Sequence, residues 1–348
     1  MEFGVFIAGH WLDRTKPAKQ LFDEMLDEAV LADRLGYDMV WLAEHYIIDY
    51  ITLPDPLGFA AAIFERTERI HCGVAVIILR NHHPIRLAAQ MAQLDVLYGG
   101  RWECAFGRGS SGYELRQMGL DLSPDDSRDY FHEHLLVMAK LWQSRQSAAF
   151  EGRFFNFDST AIMPPPETPV PPFWLAALSP FAVRLGVEHC REAGIPVRLI
   201  SSPFREPWPY IAERYDAFLA ALKEHGIPRR EAKYAVNRIC YVAPTDEEAR
   251  EVLPWVLAIH RGLNRLLADS EIVVDGHVLT DPVPDEPTPE EMFENCLIGS
   301  PETVRRKLRV YADAGIDHVS AYMHMGQPHA MVARSMELYA REVLPAFR

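Results

Sequence analysis

The sequence predicts an α/β protein, a (β/α)8 TIM barrel with insertions. Three observations predict it. Short runs of β-branched and aromatic residues alternate with amphipathic helical stretches. The alternation reaches eight strands, which favours a closed barrel over an open sheet. The G-x-G-x-x-G turn that an open dinucleotide-binding sheet places after its first strand is missing here. At 348 residues the chain suits one such barrel with extensions, and residues 1–348 read as a single domain.

The elements follow in order. Residues 3–8 form a short apolar run, and 20–35 carry Leu21, Met25, Ala29 and Ala32 at helical spacing, closed by Gly36. Strand 38–43, helix 56–66 and the apolar strand 70–79 come next. Helix 84–97 opens on Pro84, where a missing N–H costs nothing. Strand 102–106 and the long helix 127–142 follow, with Leu135, Met138 and Trp142 on one face. Residues 150–172 interrupt the pattern with a hairpin and the proline-rich stretch PPPETPVPP. The alternation resumes with strands 173–177, 196–201, 233–242 and 318–322 and helices 181–193, 206–224, 246–268, 301–314 and 328–339. A second insertion, 270–290, holds a hairpin on Asp275-Gly276 and an acidic, proline-rich tail; it reads either as a solvated loop or as a lid.

Lys and Arg number 35 against 49 Asp and Glu, a formal charge of −14. A nucleic-acid binder needs a basic footprint, and none is present. No apolar run has the 18 or so residues of a membrane span. The opening MEFGVFIAGHWLDR has no basic segment ahead of a long apolar one, so no leader is expected. Five scattered cysteines, Cys72, Cys104, Cys190, Cys240 and Cys296, fit free thiols in a reducing compartment. The expectation is a cytoplasmic protein.

A barrel of this kind gathers its chemistry at the C-terminal ends of its strands. That rule selects His10 and Trp11, Glu44 and His45, the segment 80–83 with His83, Gly107-Arg108-Gly109, and Ser179. Several histidines at one mouth point to an active site. A metal centre is not expected. Glu44-His45 and His82-His83 are adjacent pairs, and His132-Glu133-His134 is not the H-E-x-x-H spacing that puts two ligands on one helix face. The glycine-rich turn around Arg108 and Gly109 suits a phosphate. So does Leu178-Ser179-Pro180, a helix start with a hydroxyl cap and proline behind it.

These motifs resemble the bacterial luciferase-like family of flavin-dependent monooxygenases, nearly end to end. The residues carrying the resemblance are 36–45 (GYDMVWLAEH), 67–70 (TERI), His83-Pro84, 94–101 (LDVLYGGR), 107–109 (GRG), 177–179 (ALS), 298–302 (IGSPE) and 343–345 (VLP). The resemblance implies a barrel that binds reduced FMN, or the deazaflavin F420 in a sister branch, and forms a homodimer. It implies that His45 is the acid/base with Glu44 beside it. Arg108 with Gly109, and Ser179 with Leu178, would contact the flavin phosphate. Ala75-Val76 lies where relatives hold a cis peptide under the flavin ring, and His10, Trp11 and His83 would border the substrate. Leu178 and Ala182 replace a glutamate and a threonine of bacterial luciferase, which shifts phosphate contacts toward backbone N–H groups. His10 stands in place of an aromatic residue. The activity implied is oxygenation of a small hydrophobic substrate by O2 through a flavin C4a-peroxide, with FMNH2 from a separate NAD(P)H:flavin reductase. The alternatives are an F420-dependent dehydrogenase or reductase, and a non-catalytic flavin-binding protein.

Overall fold

The protein is represented by a computed structural model that describes every residue except 110, 121, 145 and 269–272. Strands β1 (Glu2–Ile7), β2 (Met39–Leu42), β3 (His71–Ile78), β4 (Trp102–Gly107), β5 (Phe173–Ala176), β6 (Arg198–Ser201), β7 (Lys233–Val242) and β8 (His318–Tyr322) are all parallel. Each pairs with the next, β6 with β7 and β8 with β1, so the sheet closes on itself. It is a (β/α)8 barrel, as the alternation predicts. A short extra strand, Leu297–Gly299, runs parallel to the far end of β7.

Around it lie α1 (Ala18–Leu35), α2 (Pro56–Phe64), α3 (Pro84–Tyr98), α4 (Gly112–Gln117), α5 (Pro124–Gln143), α6 (Pro180–Glu192) and α7 (Trp208–Glu224). They continue as α8 (Asp246–Ala249), α9 (Leu253–Ala268), α10 (Pro289–Asn295), α11 (Pro301–Ala314) and α12 (His329–Leu338). The predicted face of α1 is fully buried at Leu21, Met25, Ala29 and Ala32, and Gly36 caps the helix at φ 80°. The sequence did not foresee α4, α10 or the strand at 297–299. The predicted helix 246–268 is broken: a 3₁₀ turn at Arg250–Val252 separates α8 from α9, where Pro254 supplies no N–H to continue the ladder. Helix α5 starts earlier than its periodicity suggests, because Ser123 caps it and Pro124 takes the first turn.

Strand alternation divides the core. Phe3, Val5 and Ile7 face the helical layer, while Phe6 and Ala8 belong to a second cluster with Met39, Trp41, Ala75, Ala105, Trp174 and Tyr322. Trp41 and Trp174 meet edge to face at 5.9 Å. They fit because neighbouring positions are small: a Cβ at Gly73 would stand 2.7 Å from the Trp41 ring. The entry end of the barrel is polar. Trp41 donates to His318 at 3.1 Å, Trp174 donates to Glu103, and Lys233 pairs with Glu2 at 2.8 Å.

The first insertion is a hairpin, Ala148–Glu151 with Asn156–Thr160. Its turn is tied to α5 by Glu133, whose carboxylate accepts from the amides of Arg153, Phe154 and Phe155. In the second insertion Val273–Val274 pairs with His277–Val278 across Asp275-Gly276, both at positive φ, the turn the dipeptide predicts. Residues 270–272 of that insertion lie outside the described residues.

Candidate active site at the carboxyl mouth of the barrel

Two histidines at the mouth are each held by a buried carboxylate, and the pairing is crossed. His45 follows β2, and its Nδ1 lies 2.5 Å from Glu114 Oε2. Glu114 Oε1 also accepts the amide of Tyr46 at 2.9 Å. Burial pushes the Glu114 carboxyl up, but the hydrogen bond and charge of His45, with the Tyr46 and Ile47 amides, bring it below its ordinary value. Glu44 does not serve its sequence neighbour. Only 1 % exposed, it accepts from the Ile78 amide at 2.6 Å, from the Tyr46 hydroxyl, and from His82 Nε2 at 2.6 Å.

Glu114 is not among the residues that the sequence singles out, and His82 enters there only within the segment 80–83, without its Glu44 partner. Ser111-x-x-Glu114 has capping-box spacing, and Ser111 does accept from the Glu114 amide at 3.4 Å. The Glu114 side chain instead reaches 69 residues back to His45. Of the adjacent pair after β3, His83 was expected at the substrate. Its ring is exposed and packs on Phe155 of the hairpin at 5.9 Å, while His82 faces Glu44.

His10 sits at the floor. Its Nδ1 donates to the Tyr50 carbonyl and its Nε2 receives the Tyr322 hydroxyl. A carbonyl can only accept, which fixes the tautomer. Burial, and secondarily the charge of His324, pull its pKa down to about 3. Around it Phe6, Phe204 and Tyr322 pack with ring centroids 4.9–6.1 Å apart. Trp11 is half-buried near the rim, donating to the Lys16 carbonyl at 2.9 Å beneath the Arg14 guanidinium.

The Ala75-Val76 peptide is cis, with a register shift against β4 at that point. Gly107 leaves room for it: a Cβ there would meet Val76 Cγ2 at 2.6 Å. Arg108 is exposed and has no acid partner among the described residues; burial of its stem and the charge of Arg128 hold it below the usual arginine value. Its backbone is pinned by Arg80, which donates to the Arg108 carbonyl at 2.9 Å and the Leu120 carbonyl at 3.3 Å. Gly109 has φ 83°, and a Cβ there would stand 2.9 Å from Ile78. Ser110, part of the same turn in sequence, lies outside the described residues.

Ser179 caps α6 and accepts from the Ala182 amide at 3.1 Å. Beside it Leu178 is 53 % and Phe181 66 % exposed. Arg214, buried against the Tyr210 ring, donates to the Leu178 carbonyl at 3.0 Å and sets the approach to the cap.

A hairpin covers one side of the mouth. Asp49, buried in the loop after β2, accepts from Arg14 Nε at 3.1 Å, His277 Nδ1 at 2.5 Å and the Val278 amide at 2.9 Å. The Asp49 amide donates in return to the Gly276 carbonyl at 2.8 Å. Further along, Arg261 on α9 pairs with Glu286 at 2.7 Å.

The chain matches the family model for luciferase-like monooxygenases over residues 1–318. It is 25 % identical over 356 residues to the oxygenase component of a flavin-dependent trigonelline monooxygenase of Acinetobacter baylyi, covering all of this chain and 96 % of that protein. Among solved structures it superposes on monooxygenase RslO1 of Streptomyces bottropensis with a TM-score of 0.84, at 25 % identity and full coverage of both chains. It also superposes on the oxygenating constituent of 3,6-diketocamphane monooxygenase of Pseudomonas putida, solved with FMN, with a TM-score of 0.79, at 23 % identity over 100 % and 99 % of the chains. F420-dependent dehydrogenases also stand among its matches. No helix among the described residues is long and apolar enough to cross a membrane. On the span of the family match, with the motifs and the barrel beneath them, the chain belongs to the luciferase-like monooxygenase family.

Proposed function

We propose that the protein is an oxidoreductase, the oxygenase component of a two-component flavin monooxygenase. In this reading it uses reduced FMN and O2 to oxygenate a small hydrophobic substrate. The observation that carries the reading is His45, held by Glu114 at the mouth, one strand away from the β3 bulge at Ala75-Val76 and two from the Arg108 turn. The residues present fit the cofactor. Arg108 is a cation without an acid partner among the described residues, and the start of α6 offers backbone N–H groups to an anion. Gly107 and Gly109 let the backbone lie where a Cβ would collide.

When bound, reduced FMN supplies the electrons that activate O2. The chain does the rest. Glu114 keeps the proton of neutral His45 on Nδ1, so Nε2 is the atom that takes up or returns a proton at the mouth. The aromatic floor of Phe6, Phe204 and Tyr322 offers an apolar ring or chain its surface. The 273–278 hairpin, fastened to Asp49, acts as the lid that excludes water. A separate NAD(P)H:flavin reductase delivers FMNH2, and the working form is a cytoplasmic homodimer; the buried state of all five cysteines suits a reducing compartment.

The test is anaerobic titration with reduced FMN and with reduced F420, followed by rapid mixing with oxygenated buffer. Preference for FMN and an oxygen-dependent spectral change that free flavin does not show would support the proposal. Preference for F420 with no such change would replace it with hydride transfer, and binding without turnover would leave a flavin carrier.

A further inference from the structure

We infer that His82, anchored by Glu44, is a second proton-transferring residue of this mouth, working beside His45 with the opposite ring nitrogen. The inference rests on the flavin reading for its chemistry, but not for its geometry.

A carboxylate only accepts hydrogen bonds, so the ring nitrogen facing it carries the hydrogen. His45 meets Glu114 through Nδ1, and His82 meets Glu44 through Nε2 at 2.6 Å. In their neutral forms the two rings are therefore opposite tautomers. His45 keeps Nε2 for a proton, and His82 keeps Nδ1, which has no partner among the described residues.

Other histidines near the mouth are unsuited to this work. His10 and His134 are buried, and desolvation first of all drives each down to about 3. They stay neutral near pH 7 and act as fixed hydrogen-bonding groups. The His45 and His82 side chains remain 16 % and 19 % exposed, within reach of solvent or of a bound molecule.

His82 is also held from several sides. Its amide donates to the Leu79 carbonyl at 3.2 Å, closing the short turn after β3. Its carbonyl accepts from His134 Nε2 on α5 at 3.2 Å. Glu44 in turn is fixed by the Ile78 amide and the Tyr46 hydroxyl. Tyr46 joins the two dyads, its hydroxyl on Glu44 and its amide on Glu114. The charged and titratable groups facing His82 are thus Glu44 and Tyr46 after β2, His134 on α5, and Arg80 and His83 in its own turn, with Glu114 and His45 one link further.

The step balances without electron transfer. His82 Nδ1 accepts a proton from a group at the mouth, giving an imidazolium whose charge is matched by Glu44. The Nε2–H stays on the carboxylate throughout, and Nδ1 later returns the proton to product or water. Glu44 acts only as the positioning residue.

His82→Gln separates this from a purely structural pair, because the glutamine amide nitrogen replaces Nε2–H toward Glu44 and removes the basic Nδ1. In wild-type protein without cofactor, imidazole ¹⁵N NMR should show His82 as the Nε2–H form and His45 as the Nδ1–H form, both titrating. An Nδ1–H tautomer at His82, or no titration there, overturns the proposal whatever cofactor the protein uses. With reduced FMN bound, the pH profile of its reoxidation by O2 should show two ionisations in wild type. His82→Gln should remove one of them and slow the step on the order of 10–100-fold, with FMN affinity within about twofold. A variant profile that superposes on wild type would also overturn it, whereas failure of FMN to bind would sink the flavin reading and leave the NMR result to decide on His82.

Discussion

At the scale of single residues, the crossed dyads make Glu114 as consequential as the histidine it holds. His45→Gln removes the basic nitrogen and should lower oxygenation on the order of 100-fold or more, with FMN binding nearly intact. Unchanged product yield would remove His45 from the mechanism. Glu114→Gln keeps the shape but offers an amide that can donate as well as accept, so the His45 tautomer is no longer fixed. The expected result is a loss of about 10-fold in kcat with a displaced pH profile and little change in KM; a uniform rise in KM alone would mean that Glu114 only shapes the pocket. These roles were unevenly legible in the sequence. His45, Arg108 and Ser179 stand in local motifs, so the sequence alone singles them out as candidates. Glu114 and His82 act across 69 and 38 residues of chain, and their partners become visible only when β2, β3 and α4 are brought together. Glu44 was found, but paired by adjacency with His45; on an extended chain adjacent side chains diverge, which sends it to His82 instead.

At the scale of elements, the hairpin at 273–278 is fastened mainly through one carboxylate. Asp49 satisfies Arg14, His277 and the Val278 amide, and it is buried, so its removal strands donors as well as breaking bonds. Asp49→Ala should speed amide exchange at Val278 on the order of 100-fold, equivalent to about 2.7 kcal/mol, while exchange in the barrel strands is unchanged. In the lid reading the same variant also raises wasted reduction of O2 relative to product. Faster exchange with unaltered coupling would mark the hairpin as a structural flap instead. The turn itself was legible, since Asp275-Gly276 between short β-branched runs specifies it. What it docks on was not, because Asp49 lies 228 residues earlier and looks like any loop carboxylate. The break between α8 and α9 was missed for a local reason: the apolar period continues through Pro254, and only the hydrogen-bond ladder stops.

At the scale of the whole molecule, the closed barrel couples the mouth to folding through its buried histidines. His10 joins the end of β1 to β8 through Tyr322, and His134 joins α5 to the turn after β3. Each is held near 3 by burial, against an ordinary value of 6.5. Below about pH 6 the unfolded chain therefore binds protons that the folded one refuses, and stability falls as pH drops, until about pH 3. Glu28 adds to this lower down. Burial raises its carboxyl, but the charge of His324, 2.7 Å away, and the hydrogen bond and charge of His329 bring it to about 2, so its contribution is present above 4.5 and lost as pH falls toward 2. The two histidines alone give a slope of about 2.7 kcal/mol per pH unit between roughly pH 5.5 and 3.5. His189 and His260, each lowered to about 4 by burial first of all, add to it, so urea unfolding at a series of pH values should show at least that slope. His134→Gln retains the donor toward His82 and should lower the slope by one histidine's share, about 1.4 kcal/mol per pH unit; an equal slope in the variant would mean that His134 is protonated in the folded state. The eight strands that make this coupling possible were legible from their apolar runs, because a buried parallel strand has few other ways to read. The polar plug at the opposite end was not. Glu2 and His318 start their strands and Glu103 is second in its own, as charged or polar residues normally are at a surface, and only closure of the sheet turns Trp41 and Trp174 toward them. Closure is thus the step that converts exposed strand starts into a satisfied interior, and it makes this end acid-sensitive too: hydrogen bonds from His318 and Lys233 bring the Glu2 carboxyl to about 2, so its contribution is present above 4.5 and lost as pH falls toward 2, below the window set by the buried histidines at the mouth.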